Sequence, residues 1–241
     1  MGDLIGKAVV GEMYYVPKEE FLRVLNSNLS PLDKTKIYAS LCRINTLYMI
    51  AKAGSGHIGS SFSSMDIVSW IHLNEMLPSQ DAQLQEDHIF FSSKGHDAPA
   101  IYSSLIGIGQ LNFDLIHQLR RIEGLPGHPD VSIPGIVTNT GSLGMGVSKA
   151  KGMIFANRKK NIKSHIFVLT GDGELQESQF WESLVSAANN NIHELVVIID
   201  HNKLQSDTLV ANVSDLGDLE LKLKSFGWEV NEINGHNMKE I

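Results

Sequence analysis

Two apolar segments separated by a helical one constrain the fold of this chain more than any other feature. Residues 165–170 and 195–200 are almost entirely apolar and rich in β-branched side chains, and residues 177–189 between them have a helical apolar periodicity. Continuous apolar strands joined through a helix are typical of a parallel sheet covered on both faces. We therefore predict an α/β fold with an open, mainly parallel sheet and helices on both faces. In such folds ligands bind beyond the carboxyl ends of the strands.

The rest of the pattern adds helices and short strands, and sets residues 1–29 apart as a polar arm. Ser30 is a good N-cap, Pro31 suits the first helical position, and an apolar stripe continues to Gly54, so a long helix is predicted there. The other predicted helices are 63–76 (ending before Pro78), 98–106, 113–122, 146–156 and 216–226, and the other predicted strands are 88–92 and 228–233. With no linker-like stretch, residues 30–241 are predicted to form one domain.

Composition excludes several classes of protein. The chain is 42% hydrophobic, which argues against disorder, and its net charge of −7 without a basic run argues against nucleic-acid and anionic-membrane partners. No apolar run is long enough to cross a bilayer, and no secretory signal is visible. The single cysteine, Cys42, excludes an internal disulfide and is interpreted as a core residue. We expect a soluble, cytoplasmic protein.

One glycine motif is misleading. Residues 54–59 match the dinucleotide pattern G-x-G-x-x-G. That fingerprint requires a preceding strand, whereas a long helix is predicted before Gly54. The context therefore argues against a nicotinamide or flavin site.

A second glycine motif follows a predicted strand and is more informative. Gly171, Asp172 and Gly173 come after the first buried strand, and Asn202 comes shortly after the second. If the two strands are neighbours, Asp172 and Asn202 lie together with a nearby main-chain carbonyl, and such oxygen ligands suit Mg²⁺ or Ca²⁺. A cation there would bridge the phosphates of a diphosphate. An ordinary Gly-Asp-Gly turn beside an Asn-containing loop is the alternative.

Three histidines lie in glycine-containing loops between the predicted elements. His57, His96 and His128 could converge on one crevice, and their spacing does not resemble that of a zinc site. The remaining histidines considered have no such setting and are assigned to surfaces or satisfied core positions: His72, His88, His117, His165 and His193. No Ser-His-Asp or Cys-His arrangement supports covalent catalysis by a side chain.

Taken in order, these motifs resemble the N-terminal half of transketolase, a family of thiamine-diphosphate enzymes, over about residues 32–233. The motifs are Ser55-Gly-His57, Ser93-Lys-Gly-His96, Gly127-His-Pro129, Thr140-Gly-Ser-Leu-Gly-Met-Gly146, Gly171-Asp-Gly-Glu-Leu-Gln-Glu177 with Trp181-Glu182, and Asp200-His-Asn-Lys-Leu-Gln205. The fold that the resemblance implies is the diphosphate-binding type of α/β domain.

The resemblance also implies roles for individual residues. The side chains of Asp172 and Asn202, with the Leu204 carbonyl, would hold Mg²⁺ (with Ca²⁺ or Mn²⁺ as possible substitutes) against the diphosphate of thiamine diphosphate. The other cofactor-binding positions are His96, Gly141, Ser142, Leu143, Gly171, Gly173 and Glu174, and Asn202 and Leu204 are included with them. His57, His96 and His128 would be the catalytic histidines, with His57 and His128 facing the donor ketose. Glu177 and Glu182 resemble acidic residues at the subunit contact, or they are an ordinary solvated helix face.

The sequence departs from the family pattern in two respects. It stops near Ile241, where transketolase continues into a domain that binds the aminopyrimidine and provides a glutamate. We therefore expect half of a split enzyme, or a fragment, that forms a heterotetramer with a C-terminal partner subunit, or a dimer when isolated. The residues at positions 58, 60, 61, 142 and 145 are also unusual for the family, which leaves the identity of the donor and acceptor sugars open.

The predicted activity is transfer of a two-carbon ketol unit from a ketose, expected to be a phosphate, to an aldose. One alternative is a pyruvate-decarboxylating acyl transferase similar to deoxyxylulose-phosphate synthase, but the segments 127–129 and 140–144 resemble transketolase more closely. The other is a non-catalytic cofactor-binding scaffold. The presence of His57, His96, His128 and Asp172 together argues against it, because a scaffold needs none of them.

Overall fold

The structure, a computed structural model, describes residues 12–76 and 88–241. Its centre is a three-stranded parallel sheet in which β1 (Ile89–Ser92), β2 (Ile166–Gly171) and β3 (Leu195–Asp200) lie side by side in that order. Phe91 pairs with Val168, and Val168 pairs with Val197. A two-stranded antiparallel ribbon, β4 (Leu204–Gln205) and β5 (Thr208–Leu209), follows β3.

Helices surround the sheet. In chain order they are α1 (Lys18–Leu25), α2 (Pro31–Ala53), α3 (Ile58–Ser63), α4 (Met65–Trp70, continued by a π turn at Ile71–Glu75), α5 (Ala98–Gly107), α6 (Gly146–Lys160), α7 (Ser178–Asn189), α8 (Val210–Val213) and α9 (Leu219–Ser225), with 3₁₀ turns at Phe113–His117 and Asp172–Gln176. In the described ranges no helix is both long enough and apolar enough to span a membrane.

The strands are covered on both faces because successive side chains point to opposite sides. Phe90 and Leu169 pack in a cluster with α2, α4 and α5, whereas Phe91 and Val168 pack in a second cluster with α6 and α7. This arrangement confirms the predicted α/β fold with a parallel sheet between helical layers.

The long helix is confirmed together with both of its end signals. The Ser30 hydroxyl accepts a hydrogen bond from the Asp33 amide at 3.2 Å, and Gly54 ends α2 in the left-handed conformation with a φ of +71°. Since a helix precedes Gly54, residues 54–59 lack the strand that a dinucleotide site requires.

The segment assigned to a polar arm contains a helix that was not predicted. Phe21 and Val24 of α1 are buried in a third cluster with Tyr38 of α2 and Ala100 of α5. With two buried side chains in eight residues, α1 is too short for its periodicity to stand out in the sequence.

Several predicted boundaries were wrong. The 63–76 helix begins earlier and is interrupted at Ser64, while Pro78 lies outside the described residues. The 113–122 helix is only a 3₁₀ turn at Phe113–His117, and the chain then turns back through Arg120 and Glu123, whose φ angles are 56° and 62°. Residues 228–233 form no strand, and the 216–226 helix is limited to α9.

Candidate functional site

The loops after β2 and β3 meet at the carboxyl edge of the sheet, as expected of adjacent parallel strands. Asp172 is 1% exposed, and its Oδ2 accepts a hydrogen bond from the Lys203 amide at 2.6 Å while its Oδ1 accepts one from the Gly173 amide at 2.9 Å. Burial raises the pKa of Asp172, although these two amides oppose the shift. Each oxygen retains a lone pair that is available to a further ligand.

Asn202 lies in the loop that contacts Asp172. Its Nδ2 donates to the Ser63 hydroxyl at 3.2 Å and to Asp200 Oδ2 at 3.3 Å, and its Oδ1 accepts from the Leu204 amide at 2.9 Å. A carboxylate, an amide oxygen and the carbonyls of this loop are hard oxygen donors of the kind that Mg²⁺ and Ca²⁺ prefer. The chemistry of the donor set therefore fits a divalent cation.

Three buried polar atoms near these loops have no hydrogen-bond partner among the described residues. They are Thr140 Oγ1, Glu174 Oε2 and Gln205 Oε1. A methyl group on Gly173 would come within 3.3 Å of Gln205 Oε1, so that amide lies directly beside the Gly-Asp-Gly turn. Buried polar groups are normally paired, so unpaired donors and acceptors around glycine loops fit a polar ligand. The hydroxyl can donate to phosphate, while the amide oxygen suits a cation or an N–H group.

Glu174 joins two further loops to the Gly-Asp-Gly turn. Its Oε1 accepts hydrogen bonds from the Ser93 hydroxyl and from the Gly144 amide, the latter at 2.8 Å. Burial raises the pKa of Glu174, and these donors oppose the shift. The loops that follow β1, β2 and residue 140 are thereby held against one another.

Lys94 is a buried cation at the end of β1 that the sequence analysis did not single out. It is 1% exposed, with its Nζ 2.9 Å from Asp200 Oδ2 and 3.3 Å from Asp97 Oδ2. Burial alone would lower the pKa of Lys94, but the two carboxylates outweigh it and the net shift is upward. Ser92 donates to both Asp97 oxygens, at 2.7 and 2.8 Å. The only sequence signal was a lysine that directly follows an apolar strand.

The three glycine-loop histidines come together at the same edge of the sheet. The rings of His57 and His96 have centroids 5.0 Å apart, and the His128 ring lies against Gly95 and Gly141. A methyl group added to the Cα of either glycine would approach His128 Cδ2, to 2.9 Å from Gly95 and to 2.6 Å from Gly141. Only glycine permits this close approach, and Gly141 also has a φ of +107°.

The electrostatics of the histidines favour neutral imidazoles. Burial lowers the pKa of His96, and the positive charges of Lys94 and His57 add to the shift. Burial, Arg120 and His57 likewise lower the pKa of His128. His96 Nδ1 lies 3.1 Å from the Lys94 carbonyl oxygen, which can only accept, so Nδ1 carries the proton and Nε2 is left as an acceptor.

The remaining predicted positions line the rim of these loops or the neighbouring helix. Gly141, Ser142 and Leu143 form the turn before α6, with Ser142 exposed, and the Gly141 amide lies 3.4 Å from the Ser93 carbonyl. Glu177 and Glu182 are exposed at the start of α7 and one turn later. The structure thus brings all of the predicted loops to one edge of the sheet.

The other histidines lie elsewhere. His72 is buried with Nδ1 2.7 Å from the Ser104 hydroxyl, and His117 Nδ1 is 2.8 Å from the Tyr48 hydroxyl. His165 stacks on His88, and His193 is exposed. Their assignment to core and surface positions agrees with the structure.

Comparisons with known proteins agree with these features. The family described as transketolase, thiamine diphosphate binding domain, matches residues 34–241. Over 207 residues the chain is 36% identical to the 6-deoxy-6-sulfo-D-fructose transketolase subunit SqwG of Clostridium sp. (strain MSTE9), covering 84% of this chain and 75% of that protein. Over 219 residues it is 34% identical to an apulose-4-phosphate transketolase subunit of Actinobacillus succinogenes, covering 90% and 79%.

The fold is also similar to that of a solved enzyme. The crystal structure of transketolase from Campylobacter jejuni superposes with a TM-score of 0.76 at 28% identity, covering 89% of this chain. The match covers 35% of the Campylobacter chain, so this chain spans about a third of that protein's length.

Proposed function

Because the chain belongs to the transketolase family, of which it contains the thiamine-diphosphate-binding domain, we propose that it is the cofactor-binding subunit of an enzyme that transfers a two-carbon ketol unit from a ketose to an aldose. The observation that carries this proposal is the contact between Asp172 and the loop after β3, where the Lys203 amide lies 2.6 Å from the carboxylate. That contact brings the candidate metal ligands and the Gly-Asp-Gly turn together.

The metal would be held by the side chains of Asp172 and Asn202 and by the Leu204 carbonyl. Mg²⁺ is proposed because a carboxylate, an amide oxygen and phosphate oxygens suit it, with Ca²⁺ or Mn²⁺ as substitutes. Gly171, Gly173, Glu174 and His96 would contact the cofactor from one side, and the turn at 141–143 from the other. When bound, thiamine diphosphate supplies the electron sink for carbanion chemistry, while the protein supplies position, charge and exclusion of water.

The histidines are proposed to act on the sugar. Neutral imidazoles such as His96 and His128 can donate a hydrogen bond to a carbonyl oxygen that gains negative charge and can accept a proton from a hydroxyl group. His57, with its ring centroid 5.0 Å from that of His96, is placed to share a substrate with it. His128 is fixed by the glycines that surround it, so its ring is positioned before a substrate enters.

A partner chain is proposed to complete the site. The two relatives above are named as subunits, and a full transketolase chain is about three times as long as the matched region. We propose that a C-terminal, pyrimidine-binding subunit provides the groups absent from the cluster described here, in a heterotetramer. The exposed Glu177 and Glu182 on α7 are proposed to contact that partner.

The substrate is proposed to be a ketose with an anionic group at the end remote from the ketol unit. The names of the two relatives specify a sulfonated sugar and a sugar phosphate. Both classes share the ketol unit and an anionic tail. A phosphorylated ketose is the first donor to test, and a sulfonated one the second.

The experiment reconstitutes the full chain with the pyrimidine-binding subunit from the same genome, thiamine diphosphate and MgCl₂. A ketose phosphate and an aldose acceptor are added, and mass spectrometry follows the shortened aldose and the acceptor extended by two carbons. Both products are expected, and only when the two chains are present. Bound cofactor without turnover of any ketose would contradict the proposal, and release of CO₂ from pyruvate would indicate the decarboxylating alternative.

A further inference from the structure

Asp200, the last residue of β3, is the centre of a buried network that joins three separate parts of the chain. Its Oδ2 accepts hydrogen bonds from Lys94 Nζ at 2.9 Å, from the Ser63 hydroxyl at 2.6 Å and from Asn202 Nδ2 at 3.3 Å. The Asp200 side chain is 9% exposed. A carboxylate with three donors on one oxygen is held firmly, because charge-assisted hydrogen bonds are stronger than neutral ones.

Lys94 reaches this carboxylate across the central strand. It follows β1, whereas Asp200 ends β3, and β2 lies between them. A methyl group on Gly171 of β2 would come within 3.1 Å of Lys94 Cδ, so the lysine stem passes over that glycine. The ion pair therefore links the ends of all three strands. Removing the ammonium group would leave Asp97 and Asp200 close together and without their cation.

Ser63 holds the other side of the network. The Asn202 Nδ2 donates to its hydroxyl at 3.2 Å, and that hydroxyl donates to Asp200. The neighbouring Phe62 carbonyl accepts hydrogen bonds from Arg43 Nε at 3.3 Å and Nη2 at 3.1 Å, which anchors the end of α3 where Ser63 lies. Ser63 is separated from Asn202 by 139 residues, and no local motif connects them.

These contacts determine which way the Asn202 amide faces. A carboxylate accepts and cannot donate, so the NH₂ end of the amide must face Asp200. The oxygen end then faces its own loop, where Oδ1 accepts from the Leu204 amide at 2.9 Å. Only that orientation presents an oxygen to a cation held between Asp172 and the 202–204 loop.

We propose that Ser63 and Lys94, acting through Asp200, are positioning residues that keep the amide oxygen of Asn202 directed at the metal. The inference rests on the proposed function, since it assumes a cation beside Asp172. Residues that orient metal ligands in this way contribute about 10- to 100-fold to metal affinity.

The test measures metal binding rather than turnover. Mg²⁺ is titrated into the full chain, together with its partner subunit, at saturating thiamine diphosphate, and cofactor binding is followed by calorimetry. Ser63→Ala is expected to raise the Kd for Mg²⁺ about 10- to 100-fold, and Ser63→Thr, which keeps the hydroxyl, is expected to stay near the wild-type value. Ser64→Ala is the matched control, because its hydroxyl donates to the Ser60 carbonyl within the same helical segment at 2.9 Å.

A second measurement separates positioning from general loosening. Mg²⁺ requires nearly ideal octahedral geometry, whereas Ca²⁺ tolerates flexible coordination. Ser63→Ala is therefore expected to weaken Mg²⁺ binding more than Ca²⁺ binding. An equal loss for both ions, or an unchanged Kd for Mg²⁺, would overturn the inference while leaving the proposed function intact. If the wild-type complex binds no cofactor with any divalent ion, the proposed function and this inference both fail.

Lys94→Met tests the buried ion pair in the same titration. It is expected to raise the Kd for Mg²⁺ at least as much as Ser63→Ala, because two carboxylates lose their cation. An unchanged Kd would remove Lys94 from the proposal. If Lys94→Met does not fold, the Ser63 and Ser64 variants decide the outcome, because neither side chain carries a charge.

Discussion

Gly141 lies so close to His128 that a methyl group on its Cα would approach the imidazole Cδ2 to 2.6 Å, well inside van der Waals contact. The glycine also has a φ of +107°, a conformation that side-chain-bearing residues rarely adopt. The turn at 141–143 and the imidazole therefore determine each other's position. A displacement of either one moves a residue that we propose to be catalytic or a loop that we propose to bind cofactor.

Gly141→Ala is expected to lower kcat/KM of the reconstituted enzyme by about 100-fold, because a shift of about 1 Å in a reacting group can cost that much. Steady-state kinetics with a ketose phosphate measure the change. Gly152→Ala is the control, since Gly152 is exposed on α6 with no neighbouring atom within 4 Å of the added methyl group. The control should keep wild-type kinetics and gain about 0.5–1 kcal/mol of stability. Wild-type kinetics for Gly141→Ala would show that the contact is dispensable.

Asp172→Ala is expected to abolish Mg²⁺-dependent binding of thiamine diphosphate, because the buried carboxylate is the only charged group in the proposed ligand set. Calorimetry measures binding, and size-exclusion chromatography with the partner subunit measures assembly. Asp207→Ala is the control, an exposed carboxylate in the ribbon after β3. Activity should be lost while assembly persists. An active Asp172→Ala complex would favour the scaffold interpretation instead.

The sequence was sufficient to predict the parts of the site that follow strands. Asp172 and Asn202 each come after a continuous apolar run, and the carboxyl ends of neighbouring parallel strands meet at one edge. Lys94 and Ser63 could not be found in this way. Their roles depend on the order of the three strands and on where α3 ends, and neither is encoded in local periodicity.

Two wrong predictions have physical explanations in particular residues. The apolar periodicity of 113–122 continues into a tight turn in which the Arg120 amide donates to the Leu125 carbonyl at 2.7 Å, so burial of Leu119 and Leu125 is achieved without a helix. The alternating pattern at 228–233 indicated a strand. Trp228 instead packs on α7, with Nε1 3.3 Å from the Leu184 carbonyl, and this segment pairs with no strand among the described residues.

Cys42 is expected to be unreactive in the folded protein. It is fully buried in α2 and burial raises the pKa of its thiol to about 12, so the thiolate that attacks alkylating reagents is scarce at pH 8. Mass spectrometry after brief treatment with iodoacetamide should show no label under native conditions and one label per chain in urea. Rapid native labelling would mean that the α2 contacts with α1 and α5 open readily.

His72 is expected to make the fold less stable in acid. Burial lowers the pKa of His72 to about 4, whereas an unfolded histidine titrates near 6.5. Above pH 6.5 neither state is protonated, so His72 has no effect there. As the pH falls from about 6.5 to about 4, the unfolded chain binds a proton that the folded chain does not, and stability drops by about 1.4 kcal/mol per pH unit.

Urea unfolding at pH 7 and pH 5 measures this effect. The wild type should lose about 2 kcal/mol more stability between the two pH values than His72→Gln does. His193→Gln, which removes an exposed histidine, should follow the wild type. Parallel pH profiles for the wild type and His72→Gln would contradict a buried, neutral His72, because the difference in proton uptake is what separates them.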